Sequence, residues 1–194
     1  MKRLLITLSL LASVLPYPAT EPGSIDHSRL LVYRDPSGTK QPVKTPVDWA
    51  ERRRQIIDGM QKAMGPLPDR ANLPTPDMRV HSQADGDGFT RLSIDFAAEK
   101  KDRLPALLYR PKTARLTKRP AILALHPTSP LGKHRVTKKG GVPNRAYAYE
   151  LARRGYVVIA PDYPSFGDYA YDFESDDYVS GTMKGIFNHM RCVD

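Results

Sequence analysis

The stretch from Arg119 to Gly167 decides the fold, and it reads RPAILALHPTSPLGKHRVTKKGGVPNRAYAYELARRGYVVIAPDYPSFG. Two apolar runs, residues 121–125 and 156–160, show no polar alternation, which is typical of parallel strands covered on both faces by helices. Between them, Asn144 predicts the N-cap of a helix that ends at Gly155. We therefore predict a βαβ crossover whose functional loops follow the carboxyl ends of its strands.

The segment before this unit predicts antiparallel strands at one edge of the same sheet. Residues 78–83, 89–97 and 104–109 are β-like runs. They are separated by residues 85–88 and 100–103, which have the composition of turns. The predicted fold class is therefore α/β, with antiparallel first strands, a parallel βαβ unit and a three-layer arrangement.

A helix is predicted to begin at Pro46, directly after the capping residue Thr45, and to end at Gly65. Its apolar residues fall near one face, as expected of an amphipathic helix. They are Trp49, Ile56, Met60 and Met64. We expect this face to pack on its own domain, and a stripe that binds a partner is the alternative.

A second amphipathic helix is predicted after Gly181. Its apolar residues are Met183, Ile186, Phe187, Met190 and Val193. With only two parallel strands before this helix, we expect the chain to stop before the next strand of the fold. We also expect the apolar face to be exposed unless further strands cover it, which favours association.

Composition indicates a globular protein rather than a nucleic-acid-binding one. The chain has 194 residues, 40% of them hydrophobic and 26% charged, with a net charge of +9. The basic residues are interleaved with acids, and only residues 52–54 form a tight Arg cluster. Because no nucleic-acid-binding motif accompanies this charge, we predict a solvated surface and no nucleic-acid partner.

The sequence predicts neither a metal nor a cofactor. Cys192 is the only cysteine, so an intrachain disulfide and a cysteine-based metal site are excluded. The acidic turn at Asp85 and Asp87 lacks the longer loop and terminal Glu of a calcium site.

The N-terminus resembles an export signal. Lys2 and Arg3 precede an apolar stretch, residues 4–15, that is too short for a stable membrane span. Ala19 is the candidate cleavage position, with an uncleaved anchor or a buried helix as alternatives. We assign residues 1–19 to a signal peptide, 20–76 to an N-terminal arm and helix, and 77–194 to the α/β domain.

Two loops carry a family resemblance. The segments AILALHPTS (121–129) and RGYVVIAPDYPSFGD (154–168) resemble the front half of an α/β-hydrolase of the dienelactone-hydrolase and acetyl-xylan-esterase-like branch. The resemblance implies a serine hydrolase that cleaves small-molecule or carbohydrate esters. It also implies that the backbone N–H of Thr128 belongs to the oxyanion hole. Pro127 departs from the family's usual glycine, and it leaves the Thr128 amide available.

The nucleophile of such an enzyme is absent from the sequence. Neither Ser165 nor Ser180 lies in a GxSxG pattern. The resemblance places the Ser-His-acid triad beyond residue 194, so we expect the chain alone to be inactive.

The candidate substrate-binding residues lie in the same two loops. They are His126, Ser129, Tyr163 and Phe166. We do not assign His126, His134 or His189 a catalytic role, since a general base needs a nucleophile beside it, and we expect Asp162 and Asp168 to shape loops. The alternative function is a non-catalytic carbohydrate-binding or interaction module that uses the aromatic loop 163–173. Its aromatic residues are Tyr163, Phe166, Tyr169, Tyr171 and Phe173.

Overall fold

The computed structural model describes residues 28–112 and 119–194. The predicted signal peptide, residues 1–19, lies outside the described residues. The described residues divide into two compact units, one ending at Ile56 and the other beginning at Ile57. In the described part of the chain, no helix combines the length and the apolar composition that crossing a membrane requires.

The first unit contains a small antiparallel hairpin, β1 (Val32–Arg34) and β2 (Lys40–Pro42). No strands were predicted from the sequence in this N-terminal arm. The Asp35 carboxylate closes the connection by accepting the amides of Ser37 and Thr39, each at 3.0 Å.

Helix α1 (Pro46–Met64) has its predicted limits. Thr45 and Asp48 form a capping box, in which the Asp48 amide donates to the Thr45 hydroxyl and the Thr45 amide donates to the Asp48 carboxylate. The predicted burial of its apolar face was wrong, because Trp49 and Met60 are each 46% exposed. Polar contacts hold the helix instead, with the Gln55 amide group donating at 2.6 Å to the backbone oxygen of Arg34.

The second unit is built on a five-stranded sheet in the order β3-β4-β5-β7-β6. The strands are β3 (Arg79–Asp85), β4 (Phe89–Glu99), β5 (Asp102–Pro111), β6 (Ala121–Leu123) and β7 (Val157–Pro161). The pairs β3–β4, β4–β5 and β5–β7 are antiparallel, while β7 and β6 are parallel. The predicted antiparallel edge and parallel βαβ unit are confirmed.

Helix α2 (Tyr147–Arg153) connects β6 and β7, and it begins later than expected. Its N-cap is Ala146, which makes no side-chain capping bond, so the prediction for Asn144 was wrong. Asn144 has φ +60° and forms part of the turn before the helix, a conformation that Asn tolerates better than most residues. Gly155, with φ +90°, follows the helix as predicted.

The sheet lies between α2 and the last helix, α3 (Gly181–Arg191), because alternate residues of its strands face opposite sides. Leu107 and Val158 join a core with Ala148 and Ala152 of α2. The opposite core contains Leu104, Ala106 and Phe96, with Leu108, Ile159 and Cys192 packed against it. The predicted three-layer arrangement is therefore present.

Helix α3 does not expose the apolar face that the sequence predicted. Met183 and Phe187 are buried within this chain, while Val193 lies beyond the helix end and is exposed. The helix is fastened to the sheet by polar side chains, including Arg191, whose guanidinium donates to the backbone oxygens of Ala97 and Ala98. The predicted exposure of this apolar face was therefore wrong for Met183 and Phe187.

Candidate functional site

The loops that follow β6 and β7 line a cleft of about 850 Å3. Residues 125–128 form the wall after β6, and residues 163–166 form the wall after β7. The remaining lining residues are Phe173, Gly181, Thr182, Ile186 and His189. This edge is where the carboxyl ends of parallel strands meet, which is the common location of ligand sites in α/β sheets.

A stack of three rings forms one side of the cleft. The Tyr163 ring lies edge-to-face between His126 and His189, with both centroid distances at 4.8 Å. Gly185 makes room for the tyrosine, since a Cβ atom there would lie 3.3 Å from its ring. The Tyr163 ring is thereby held in place from three sides.

His126 ties the two loops together through its ring nitrogens. Its Nε2 accepts the backbone N–H of Tyr163 at 3.0 Å, so this nitrogen carries no proton. Its Nδ1 therefore holds the proton and donates at 2.8 Å to the Pro127 backbone oxygen. A neutral, buried imidazole with both nitrogens engaged is a structural link rather than a free base.

A buried ion pair beneath the cleft makes a second link between the loops. The Asp162 carboxylate is fully buried and accepts both the backbone amide of Lys133 at 2.6 Å and its ammonium group at 2.5 Å. It also accepts the amide of Asp168 at 3.0 Å. The ammonium group of Lys133 donates in turn to the more exposed Asp168, and this bond lowers the pKa of the Asp168 carboxyl.

Two glycines permit this arrangement by letting the backbone approach the carboxylate. A Cβ atom on Gly132 would lie 2.1 Å from an oxygen of Asp162, and one on Gly167 would lie 2.3 Å from it. Both glycines also have positive φ angles, +50° and +62°. The roles of Gly132 and Lys133 were not predicted from the sequence. Their position in the loop after β6 could have indicated them.

His189 gives the cleft a neutral nitrogen-bearing ring. Burial lowers its pKa to about 4, so the imidazole is uncharged at pH 7. Its Nε2 is buried and has no hydrogen-bond partner among the described residues. No catalytic or binding role was predicted for His189 from the sequence.

The structure brings together most of the candidate site residues. His126, Thr128, Tyr163 and Phe166 all line the cleft. Ser129 does not, because it is turned inward and its hydroxyl accepts the Leu131 amide at 3.3 Å. Among the described residues, no cluster of three potential metal ligands occurs.

The aromatic loop 163–173 is divided between the cleft and the interior. Tyr163, Phe166 and Phe173 line the cleft. Tyr169 is buried and its hydroxyl donates at 2.6 Å to Asp102, while the Tyr171 hydroxyl donates to Asp176. A binding surface composed of all five rings is therefore not formed.

Comparison with known proteins identifies the fold. No family model matches the chain, and no curated protein does. A solved structure from Bacteroides fragilis NCTC 9343, assigned as an acetyl xylan esterase, superimposes with a TM-score of 0.58 at 18% sequence identity. The chain has the fold of an α/β-hydrolase. A glucuronoyl esterase from Solibacter usitatus gives a TM-score of 0.50 at 23% identity.

The chain corresponds to part of each of these structures. The first match covers 77% of the chain but 43% of the Bacteroides structure, and the second covers 72% of the chain but 41% of the Solibacter structure. The chain thus spans less than half the length of either protein. The resemblance that the sequence indicated is confirmed for the fold.

Proposed function

We propose that the chain forms the oxyanion side of the catalytic cleft in an exported serine hydrolase that cleaves carboxylic esters. The nucleophile, the acid and the catalytic His would lie beyond residue 194. The fold shared with two esterases supports this class of reaction. The substrate would be a small-molecule or carbohydrate ester.

The observation that carries the proposal is the backbone amide of Thr128. Thr128 is exposed in the cleft, and within the described residues its N–H donates no hydrogen bond. In ester hydrolysis a serine hydroxyl attacks the carbonyl carbon, and the carbonyl oxygen becomes an oxyanion. A fixed N–H beside that oxygen stabilises the charge as it develops, and departure of the alcohol then leaves an acyl-enzyme for water to hydrolyse.

The described residues offer no nucleophile paired with a base. Ser165 lies on the cleft, but its hydroxyl donates at 3.0 Å to the Tyr171 backbone oxygen. His126 uses its unprotonated nitrogen to accept an amide, so it is not available to remove a proton. We therefore expect the chain alone to lack ester hydrolysis.

The experiment compares the 194-residue chain with the product of the same reading frame extended beyond Asp194. Hydrolysis of 4-nitrophenyl acetate and covalent labelling by a fluorophosphonate are measured for both. We expect only the extended product to turn over the ester and take the label, and replacing its GxSxG serine by Ala should abolish both signals. An inert extended product, or equal activity in the 194-residue chain, would contradict the proposal.

A further inference from the structure

We infer that the cleft binds an uncharged, planar aromatic group, which would be the acyl or the alcohol part of the ester. The ester itself rests on the proposed function, whereas the aromatic group rests on the cleft alone.

Aromatic rings are dense around the cleft. Five of its lining residues carry an aromatic ring: His126, Tyr163, Phe166, Phe173 and His189. Aromatic rings attract one another in edge-to-face and offset arrangements beyond the effect of their buried area. An aromatic ligand would continue the arrangement that Tyr163 already makes with both histidines.

Phe173 is a lining residue whose ring is only partly covered by other side chains. It is 41% exposed and lines the cleft, although one edge packs on Tyr171 at a centroid distance of 5.0 Å. A large apolar side chain left partly in water gains stability when a ligand covers it.

The described walls of the cleft carry no formal charge. The lining, as described, contains no Lys, Arg, Asp or Glu. His126 carries one proton because its Nε2 accepts an amide, and His189 is held neutral by its surroundings. The nearby ammonium group of Lys133 is already paired with Asp162 and Asp168. A charged ligand group would therefore enter the cleft without a counterion and lose its hydration.

The cleft has a suitable volume for such a ligand, and one of its walls is rigid. A cleft of about 850 Å3 falls within the usual range for small-molecule sites and has room for a ring and its ester group together. The Tyr163 wall is fixed by the hydrogen bond that its backbone N–H donates to His126 Nε2 and by contact with Gly185. Because this wall is already ordered, a flat ligand would lose little binding free energy to rearrangement of the protein.

The test measures the binding of three probes to the 194-residue chain by NMR titration. Methyl benzoate is aromatic and neutral, methyl cyclohexanecarboxylate has a similar shape without aromaticity, and benzoate is aromatic but charged. We expect methyl benzoate to bind about two- to tenfold more tightly than the cyclohexane ester, and benzoate to bind more weakly than methyl benzoate. Equal dissociation constants for the two esters, or tighter binding of benzoate, would overturn the inference.

Variants separate the cleft from other exposed rings. Phe173→Leu keeps an apolar side chain at an exposed position, and Tyr163→Leu removes the central ring of the stack. Both should reduce the preference for methyl benzoate over the cyclohexane ester. Trp49→Leu is the matched control, because Trp49 is exposed but does not line the cleft. A loss of preference in Trp49→Leu equal to that in Phe173→Leu would show nonspecific binding to any exposed ring.

The outcome is independent of catalysis. Selective binding of methyl benzoate by a chain whose extended product hydrolyses no ester would retain this inference and remove the proposed function. If the extended product hydrolyses esters but the chain binds the two ring esters equally well, the proposed function is retained and this inference is lost.

Discussion

At the scale of single residues, Asp162 is a buried link between the two loops that line the cleft. Its carboxylate joins the loop after β6 to the loop after β7 through Lys133 and Asp168. A buried ion pair is not by itself strongly stabilising, because both charges lose their hydration. Removing one partner is costly, however, since the other charge is left buried and incompletely paired.

We therefore expect Asp162→Asn to lower the free energy of unfolding by about 3 kcal/mol. The matched control is Asp168→Asn, which removes a carboxylate from the same ammonium group at a position whose side chain is 66% exposed. That change should cost less than about 1 kcal/mol. Urea unfolding of the two variants measures the difference, and equal losses would show that burial of the Lys133–Asp162 pair does not matter.

His189 predicts how stability depends on pH. Its pKa is about 4 in the folded chain against an ordinary value of 6.5, so the unfolded chain takes up the proton first as pH falls. Stability should therefore decrease from pH 6.5 towards pH 4. The loss should be about 1–2 kcal/mol, smaller than the full shift implies because the ring keeps partial contact with solvent.

His189→Gln should remove this contribution and flatten the dependence of stability on pH within that window. His81→Gln, at an exposed position on β3, serves as the control. An unchanged slope in His189→Gln would mean that burial does not hold the imidazole neutral.

At the scale of elements, the strands could be predicted from their apolar patterns. The caps and turns could not, because they depend on which hydrogen bonds individual side chains make. The uniform apolar runs predicted β6 and β7, since burial on both faces leaves no polar alternation. Asn144 has the residue type of an N-cap but adopts the left-handed turn instead. The β1–β2 hairpin was missed because a carboxylate, Asp35, organises its connection without a strong hairpin signature.

Helix α3 illustrates how a polar residue can fix the position of an element. The amine of Lys184 is buried and donates to Glu99 and Asp102, which lie more than 80 residues earlier in the chain. The rings of Tyr171 and Tyr178 lie within 4.9 Å and 5.0 Å of the same amine. Helical spacing alone placed this lysine among apolar neighbours and gave no sign of its partners.

Lys184→Met should lower the free energy of unfolding by about 2 kcal/mol, because an apolar chain fits among the rings but leaves two carboxylates unpaired. The reduction is kept below the usual loss for a buried pair because Glu99 and Asp102 retain some contact with water. Lys112→Met, which removes an exposed pair with Asp85, is the control and should cost less than about 1 kcal/mol. Similar urea midpoints for both variants would contradict the anchoring role of Lys184.

At the scale of the whole molecule, the candidate residues read from the sequence come from the two loops that line the cleft, but they describe its walls incompletely. His126, Thr128, Tyr163 and Phe166 were accessible to sequence reasoning because they directly follow the strand ends. His189 was not, since its approach to Tyr163 depends on how α3 packs. Ser129 was misplaced because adjacent residues of a turn face different directions.

The export prediction also belongs to the whole molecule. Fusion of residues 1–25 to a reporter should carry the reporter out of the cytoplasm, since a charged start precedes a short apolar run. A fusion with Leu8→Arg and Leu10→Arg in the apolar run is the control and should stay inside. Retention of the unaltered fusion in the cytoplasm would remove the exported location from the proposal.

The most direct test of the proposed active site replaces Thr128 in the extended, ester-hydrolysing product. Thr128→Ala keeps the backbone N–H and should retain most activity. Thr128→Pro deletes that N–H and should lower kcat by about 10²- to 10³-fold, with the melting temperature and KM near those of the parent. A Thr128→Pro variant that melts normally and hydrolyses 4-nitrophenyl acetate at the parent rate would contradict the placement of the oxyanion hole at this turn.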